Sequence, residues 1–161
     1  MRVLFAYIRF IMRKIYLLSV IVFLHAPLLA QHSFTLTMNH VALSVTDVNR
    51  SAEFYKNVLH LQEITNRTNV DGIRWFSLGD GKELHLISTL KEKVTVNKAV
   101  HLALTTPDFD AFVTNVQRLT IPYSDWSGTP QKISIRADGI KQIFLQDPDG
   151  YWLEVNSVAE R

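Results

Sequence analysis

The phrase NHVALSVTD at 39–47 returns as VHLALTTPD at 100–108, and this internal repeat constrains the fold more than any other feature of the chain. In an extended strand, side chains two apart share a face. His40, Ala42 and Ser44 then oppose Val41, Leu43 and Val45. In the second copy His101, Ala103 and Thr105 oppose Val100, Leu102 and Leu104. One face is apolar and suits a sheet covered by a helix. The other is small, polar and headed by a histidine, as the wall of a binding site would be.

The segments after the two copies also correspond. Asp47 is placed to cap a helix that carries Val48, Ala52, Tyr55 and Val58 at helical spacing. Thr106 and Pro107 are placed as cap and first helical residue of a second, with Phe109, Phe112, Val113 and Val116 on one stripe. Short strand candidates come next, LQEIT in the first half and KISIR in the second. The halves then close alike. GIRWFSLGDGKELHLIS (72–88) lies on GIKQIFLQDPDGYWLEVNS (139–157), with two extra residues in the second turn. Asp80-Gly81 and the DPDG at 147–150 are hairpin signals. Each half therefore spells βαβββ. The expected fold is α+β, two such modules (38–90 and 99–157) in one domain over 38–157, their sheets paired around a cleft.

The same alignment sets His85 opposite Glu154. His40, His85, His101 and Glu154 thus form two equivalent pairs, one on the first and last strand of each module. Three imidazoles and a carboxylate suit a divalent zinc, nickel, cobalt, iron or manganese ion. Their long spacing makes no local motif, and the correspondence within the repeat is what singles them out. The remaining histidines, His25, His32 and His60, have no such counterpart and read as inert.

Residues 1–30 hold Arg2, Arg9, Arg13 and Lys14, no acidic residue, and the apolar run IYLLSVIVFLHAPLLA. A basic start, a short apolar core and Ala30 before Gln31 fit a secretory signal peptide, with Met12 an alternative start. The run is too short for a span and is interrupted by His25 and Pro27, so export with cleavage is expected rather than a lasting membrane anchor. Residues 31–37 read as a linker. Of 17 basic residues four lie in the leader, leaving 13 against 15 acidic and a net charge of −2. That balance gives no footing for nucleic acid. The chain has no cysteine, which excludes thiol redox chemistry and disulfides.

The segments NHVALSVTDVNRSAEFYKNVLHL, KELHLIS, VHLALTT and FLQDPDGYWLEV resemble the vicinal oxygen chelate superfamily, which includes glyoxalase I, methylmalonyl-CoA epimerase, extradiol dioxygenases and fosfomycin-resistance proteins. The resemblance covers 38–156, and DPDGYWLEV is its most specific part. It implies metal ligands on the first and last strands of each module, here His40, His85, His101 and Glu154. One position departs from the pattern. Where His85 stands, glyoxalase I usually has glutamate and the epimerase glutamine. The fosfomycin-resistance and dioxygenase branches use two histidines and one glutamate, here His40, His101 and Glu154, with His85 spare or behind the ligands.

The resemblance implies a divalent-metal-dependent, glyoxalase-like lyase or isomerase acting on a small molecule with vicinal oxygens. Two alternatives remain: an extradiol-type iron dioxygenase, and a small-molecule binding or resistance protein without chemistry. Glu154 is the ligand carboxylate able to act as base. Glu83, two residues before His85 on the same strand face, is either a second carboxylate or a solvated side chain. Arg136, before the last hairpin, is placed to hold a substrate carboxylate or to sit solvated in its loop. Trp75 is a candidate cleft wall, and the loop SDWSGTPQ (124–131) a candidate cover. Homodimers are frequent in the superfamily. Export would place the protein in the periplasm or outside the cell, away from cytosolic glutathione adducts.

Overall fold

The computed structural model describes residues 8–14, 34–90, 92 and 94–158. Residues 8–14 are helical. The apolar run and the expected cleavage point at Ala30–Gln31 lie outside the described residues. Among those described, no helix is long and apolar enough to cross a membrane. The chain divides into compact units Met1–Thr37 and Met38–Arg161, and the second carries the repeat.

Within it the order is β1 (His40–Ser44), α1 (Val48–Asn57), β2 (Glu63–Ile64), β3 (Ile73–Gly79), β4 (Lys82–Ile87), then β5 (His101–Thr106), α2 (Phe109–Arg118), β6 (Tyr123–Ser124), β7 (Ser134–Ile135), β8 (Lys141–Gln146) and β9 (Trp152–Ser157). The sheets run β1-β4-β3-β2 and β5-β9-β8-β6, with β7 also on β8. The first and last strands of each module pair in parallel, and the other pairs are antiparallel. The α+β class and the two βαβββ modules stand, the second module carrying one further short strand, β7, on β8. β1 and β5 are each the terminal strand of their sheet.

The alternation of each strand decides which face is buried. Phe76, Leu84 and Leu86 from the first sheet and Ile143, Leu145, Leu153 and Val155 from the second are all nearly inaccessible. They join Ala52, Tyr55, Phe109, Val113 and Val116 of the helices in one core shared by both modules. Burying each large apolar side chain contributes roughly 1.5–3 kcal/mol, so the helix-facing sides of the sheets are committed to this core. The histidine-bearing sides face the other way.

Most of the local signals hold. Asp47 Oδ1 accepts the amides of Asn49 and Arg50 at the start of α1 (2.9 and 3.2 Å). Asp80 and Gly81 both lie in the left-handed region (φ 48° and 71°), a hairpin turn that asparagine, aspartate and glycine tolerate best.

Two expectations need correction. α2 begins at Phe109 rather than at Pro107, because Thr106 is still held in β5 opposite Ser157. The Thr106 hydroxyl instead accepts the Asp108 amide (3.1 Å), and Asp108, the N-cap, makes no side-chain cap bond. KISIR yields only Ser134–Ile135. The outer-edge place that β2 holds in the first module belongs to Tyr123–Ser124, whose buried Tyr123 is anchored by Gln117 Nε2 donating to its hydroxyl oxygen (2.9 Å).

The DPDG turn does more than reverse the chain. Asp147 Oδ1 accepts the amides of Asp149 and Tyr151 (2.9 and 2.8 Å), while its Oδ2 accepts the Tyr55 hydroxyl from α1 (2.8 Å). Asp149 accepts the Thr46 amide and the Ser51 hydroxyl (2.8 and 2.7 Å), and Tyr151 donates to the Ser44 carbonyl (3.0 Å). The last hairpin of the second module is thereby tied to the first strand and helix of the first.

Candidate metal and substrate site

The register sorts the candidate residues onto two surfaces. In the first sheet, Ala42 pairs with His85, His40 with Glu83, and Trp75 with His85. Paired residues point the same way, so His40, Glu83, His85 and Trp75 share one face, with Leu84 and Leu86 turned into the core. In the second sheet Ala103 pairs with Glu154, Phe144 with Glu154 and His101 with Trp152, again opposite the core-facing Leu153 and Val155.

On the second sheet His101 Nε2 lies 3.0 Å from Glu154 Oε2. His101 Nδ1 is 2.8 Å from the Lys98 carbonyl oxygen. A carbonyl only accepts, so Nδ1 carries a hydrogen there, and Nε2 is the nitrogen turned toward Glu154. A bare imidazole nitrogen and a carboxylate oxygen that close repel unless a proton or a cation lies with them. Lys98 itself reaches Ser124 Oγ, Asp125 O and Trp126 O (3.2, 3.0 and 3.2 Å), with its ammonium 4.5 Å from the Trp152 ring centre. It pins the 124–131 loop so that Trp126 packs edge-on to His101 and Phe144 (6.2 and 5.5 Å between centres). That loop covers the His101 side of the sheet.

The first sheet carries a different arrangement. His85 is the middle of three parallel rings, with Trp75 on one side (4.1 Å, 7°) and His40 on the other (4.3 Å, 13°). His40 Nδ1 is 2.7 Å from Asn39 Oδ1, and His85 Nε2 is 2.8 Å from Glu83 Oε2. Glu83 also meets Arg67 at 3.4 Å and is 17% exposed, so of its two expected roles the freely solvated side chain is set aside. The Trp75 indole nitrogen is buried and has no partner among the described residues, a donor for which an acceptor is missing.

Arg136 sits half-exposed in the turn before β8, its guanidinium engaged by Asp138 at 2.8 Å. His60 occupies a left-handed position just after α1 (φ 52°), a turn residue as expected. Lys98 and Trp126 are the site residues that spacing does not single out individually; a lone lysine between the modules carries no local signal.

A family model, the Glyoxalase/Bleomycin resistance protein/Dioxygenase superfamily, matches residues 37–155. The chain belongs to that superfamily. A relative, the protein YwbC of Bacillus subtilis (strain 168), is 27% identical over 123 residues, covering 73% of this chain and 94% of YwbC. Among solved structures, the oxidase ChaP-H1 superposes with a TM-score of 0.65 at 21% identity, covering 77% of this chain and 97% of that one. A lactoylglutathione lyase from Agrobacterium tumefaciens gives 0.57 at 19%, over 77% and 94%. Identities this low establish a shared fold.

Superfamily members commonly use a divalent metal. Here the donor chemistry fits as two halves. His101 Nε2 and Glu154 are adjacent on one sheet, and His40 offers Nε2 on the other. Among the described residues no group of three or more such side chains is close enough to hold an ion.

Proposed function

We propose that the protein is a divalent-metal-dependent lyase or isomerase of glyoxalase type, acting on a small molecule with vicinal oxygens. The observation that carries this reading is the His101–Glu154 pair at 3.0 Å, an imidazole nitrogen and a carboxylate aligned on one sheet face. His40, His85, His101 and Glu154 are the candidate ligands. A bound metal ion would stabilise the negative charge that develops on the substrate oxygens.

The chain's own residues supply the rest. Glu154 and Glu83 are the two carboxylates available to take a proton from a carbon beside a carbonyl. Returning that proton to the neighbouring atom completes an isomerisation without net gain or loss. Trp75 backs the His85 ring from beneath the face, and the Lys98-pinned Trp126 loop limits water on the opposite side.

Each chain brings two half-sites onto sheet faces turned away from the shared core. A homodimer in which the His40 face of one copy meets the His101 face of the other would complete the shell. Two features support it: β1 and β5 end their sheets, and His40, Ala42, Ala103 and Thr105 are exposed.

Metal analysis of the purified protein is the first test. Zinc, nickel, cobalt or manganese near one ion per chain is expected, and His101→Ala should lower occupancy at least tenfold because a ligand is lost. Iron together with oxygen consumption would favour the extradiol reading, which the two-histidine, one-carboxylate set also suits. A protein that takes up no divalent metal would sink both enzymatic readings. For the shared site, mixing His40→Ala with Glu154→Ala dimers should restore metal binding that neither has alone, since a mixed dimer contains one intact set.

The proposed location rests on the leader. Protein recovered from the native cell is expected to begin at or near Gln31 and to fractionate outside the cytoplasm. N-terminal sequencing checks this, and a full-length cytosolic product would bring glutathione adducts back as substrates.

A further inference from the structure

We propose that His85 is a positioning residue and not a metal ligand: it is clamped between Trp75 and His40 and holds Glu83 as the second carboxylate of the site. The inference rests on the metal-dependent reading above and refines it.

Ring geometry is decisive. Imidazole binds a metal through an in-plane lone pair at about 2.0–2.1 Å. His40 and His85 lie nearly parallel with centres 4.3 Å apart. An ion placed between two such planes would sit well outside both, over the rings rather than on their lone pairs. The two histidines therefore cannot serve one ion while stacked. His40 is the one free to do so. Its Nδ1 faces Asn39 Oδ1, an amide oxygen that accepts a hydrogen and leaves Nε2 bare.

His85 has other commitments. Trp75 closes its far face at 4.1 Å, and its side chain is only 12% exposed. Its Nε2 lies 2.8 Å from Glu83 Oε2. Donation from Nε2–H to the carboxylate fixes both the ring and the acid, as a histidine ligand's outer partner would, but with the roles exchanged: here the imidazole orients the carboxylate. Arg67 at 3.4 Å from Oε1 adds a second hold from the other oxygen. A glutamate at position 85 would bring a ligand carboxylate directly to the ion. With histidine there, the acid sits one pleat away at Glu83 and reaches the same face without ligating.

The test uses zinc and nitrogen-15 histidine spectra of the full mature protein. His85→Phe keeps a flat ring between Trp75 and His40 but removes both nitrogens. It is expected to change zinc affinity by less than about tenfold, below the ~10–100-fold cost of losing even an outer partner of a ligand. On adding zinc to the wild type, His40 and His101 nitrogens should shift as metal-bound nitrogens do, while His85 keeps an Nε2–H signal. In the metal-free protein that signal should move in Glu83→Gln. A metal-type shift at His85, or a loss of zinc affinity in His85→Phe as large as in His101→Ala, overturns the assignment. So does a His85 signal indifferent to Glu83→Gln. A wild type that binds neither zinc nor nickel, cobalt, manganese or iron instead defeats the metal-dependent reading, and the Glu83→Gln comparison still decides the pairing.

Discussion

Glu154→Gln is expected to keep part of the bound metal and to lose turnover by about 10²–10⁴-fold, the usual contribution of a positioned general base. The amide oxygen of glutamine can still face a cation from the same rotamer, but it cannot accept a proton from carbon. Glu154 is only 8% exposed, and its neighbours on the face are His101 and Phe144. A side chain so confined has little freedom to let water substitute for it. Metal content by elemental analysis and single-turnover rates on the substrate found by panel screening measure the two effects separately. Occupancy retained with turnover abolished assigns proton transfer to Glu154. Normal turnover would place the base elsewhere, and Glu83, held by His85 on the opposite half-site, stands next.

How much of this is legible in the sequence depends on the distance over which each feature acts. Alternation in NHVALS and HLALTT decides which faces carry histidine, and the register agrees residue by residue. Asp47 is legible as a cap because capping is a contact between neighbours. Tyr123–Ser124 is not legible as a strand, since two residues carry no period and the pairing with β8 is supplied by the sheet. Its near neighbour KISIR has the right alternation and contributes only two paired residues. The four metal candidates stand out because the repeat aligns them. That alignment cannot say whether the pairs meet within one chain or across two, because each module satisfies its own strand order either way. The stack of Trp75, His85 and His40 lies further out of reach: it depends on side-chain angles across three strands. The DPDG sequence announces a turn, and its tie to Tyr55, Thr46 and Ser51 across the modules carries no signal at all.

That tie sets the last expectation. Asp147→Ala should destabilise the domain by about 2–4 kcal/mol, since it strands a buried hydroxyl and two amides at once. Tyr55 is inaccessible to solvent, so its hydroxyl loses its partner inside the fold. A loss of that size lowers the melting temperature of a domain this large by roughly 10 °C. Tyr55→Phe should cost less, because it removes the donor together with its need for a partner and leaves Asp147 both of its amides. The pH dependence separates the two acids of the turn. Burial pushes the Asp147 carboxyl above the usual range, against the pull of the Tyr55 and backbone hydrogen bonds. The native state therefore binds its proton more tightly than the unfolded chain, and the stability from Asp147 declines as pH rises through its folded pKa. Asp149 behaves oppositely. Burial raises it too, but the Ser51 hydroxyl and the Thr46 amide outweigh that and hold it below the usual range. Its contribution is present above the ordinary carboxylate pKa and fades as pH falls through the depressed value. Urea midpoints taken between about pH 3 and 7 should then show Asp147→Asn losing the decline with rising pH, and Asp149→Asn losing the fall on the acid side. Parallel profiles for wild type and both variants would mean that the turn titrates as ordinary surface carboxylates do.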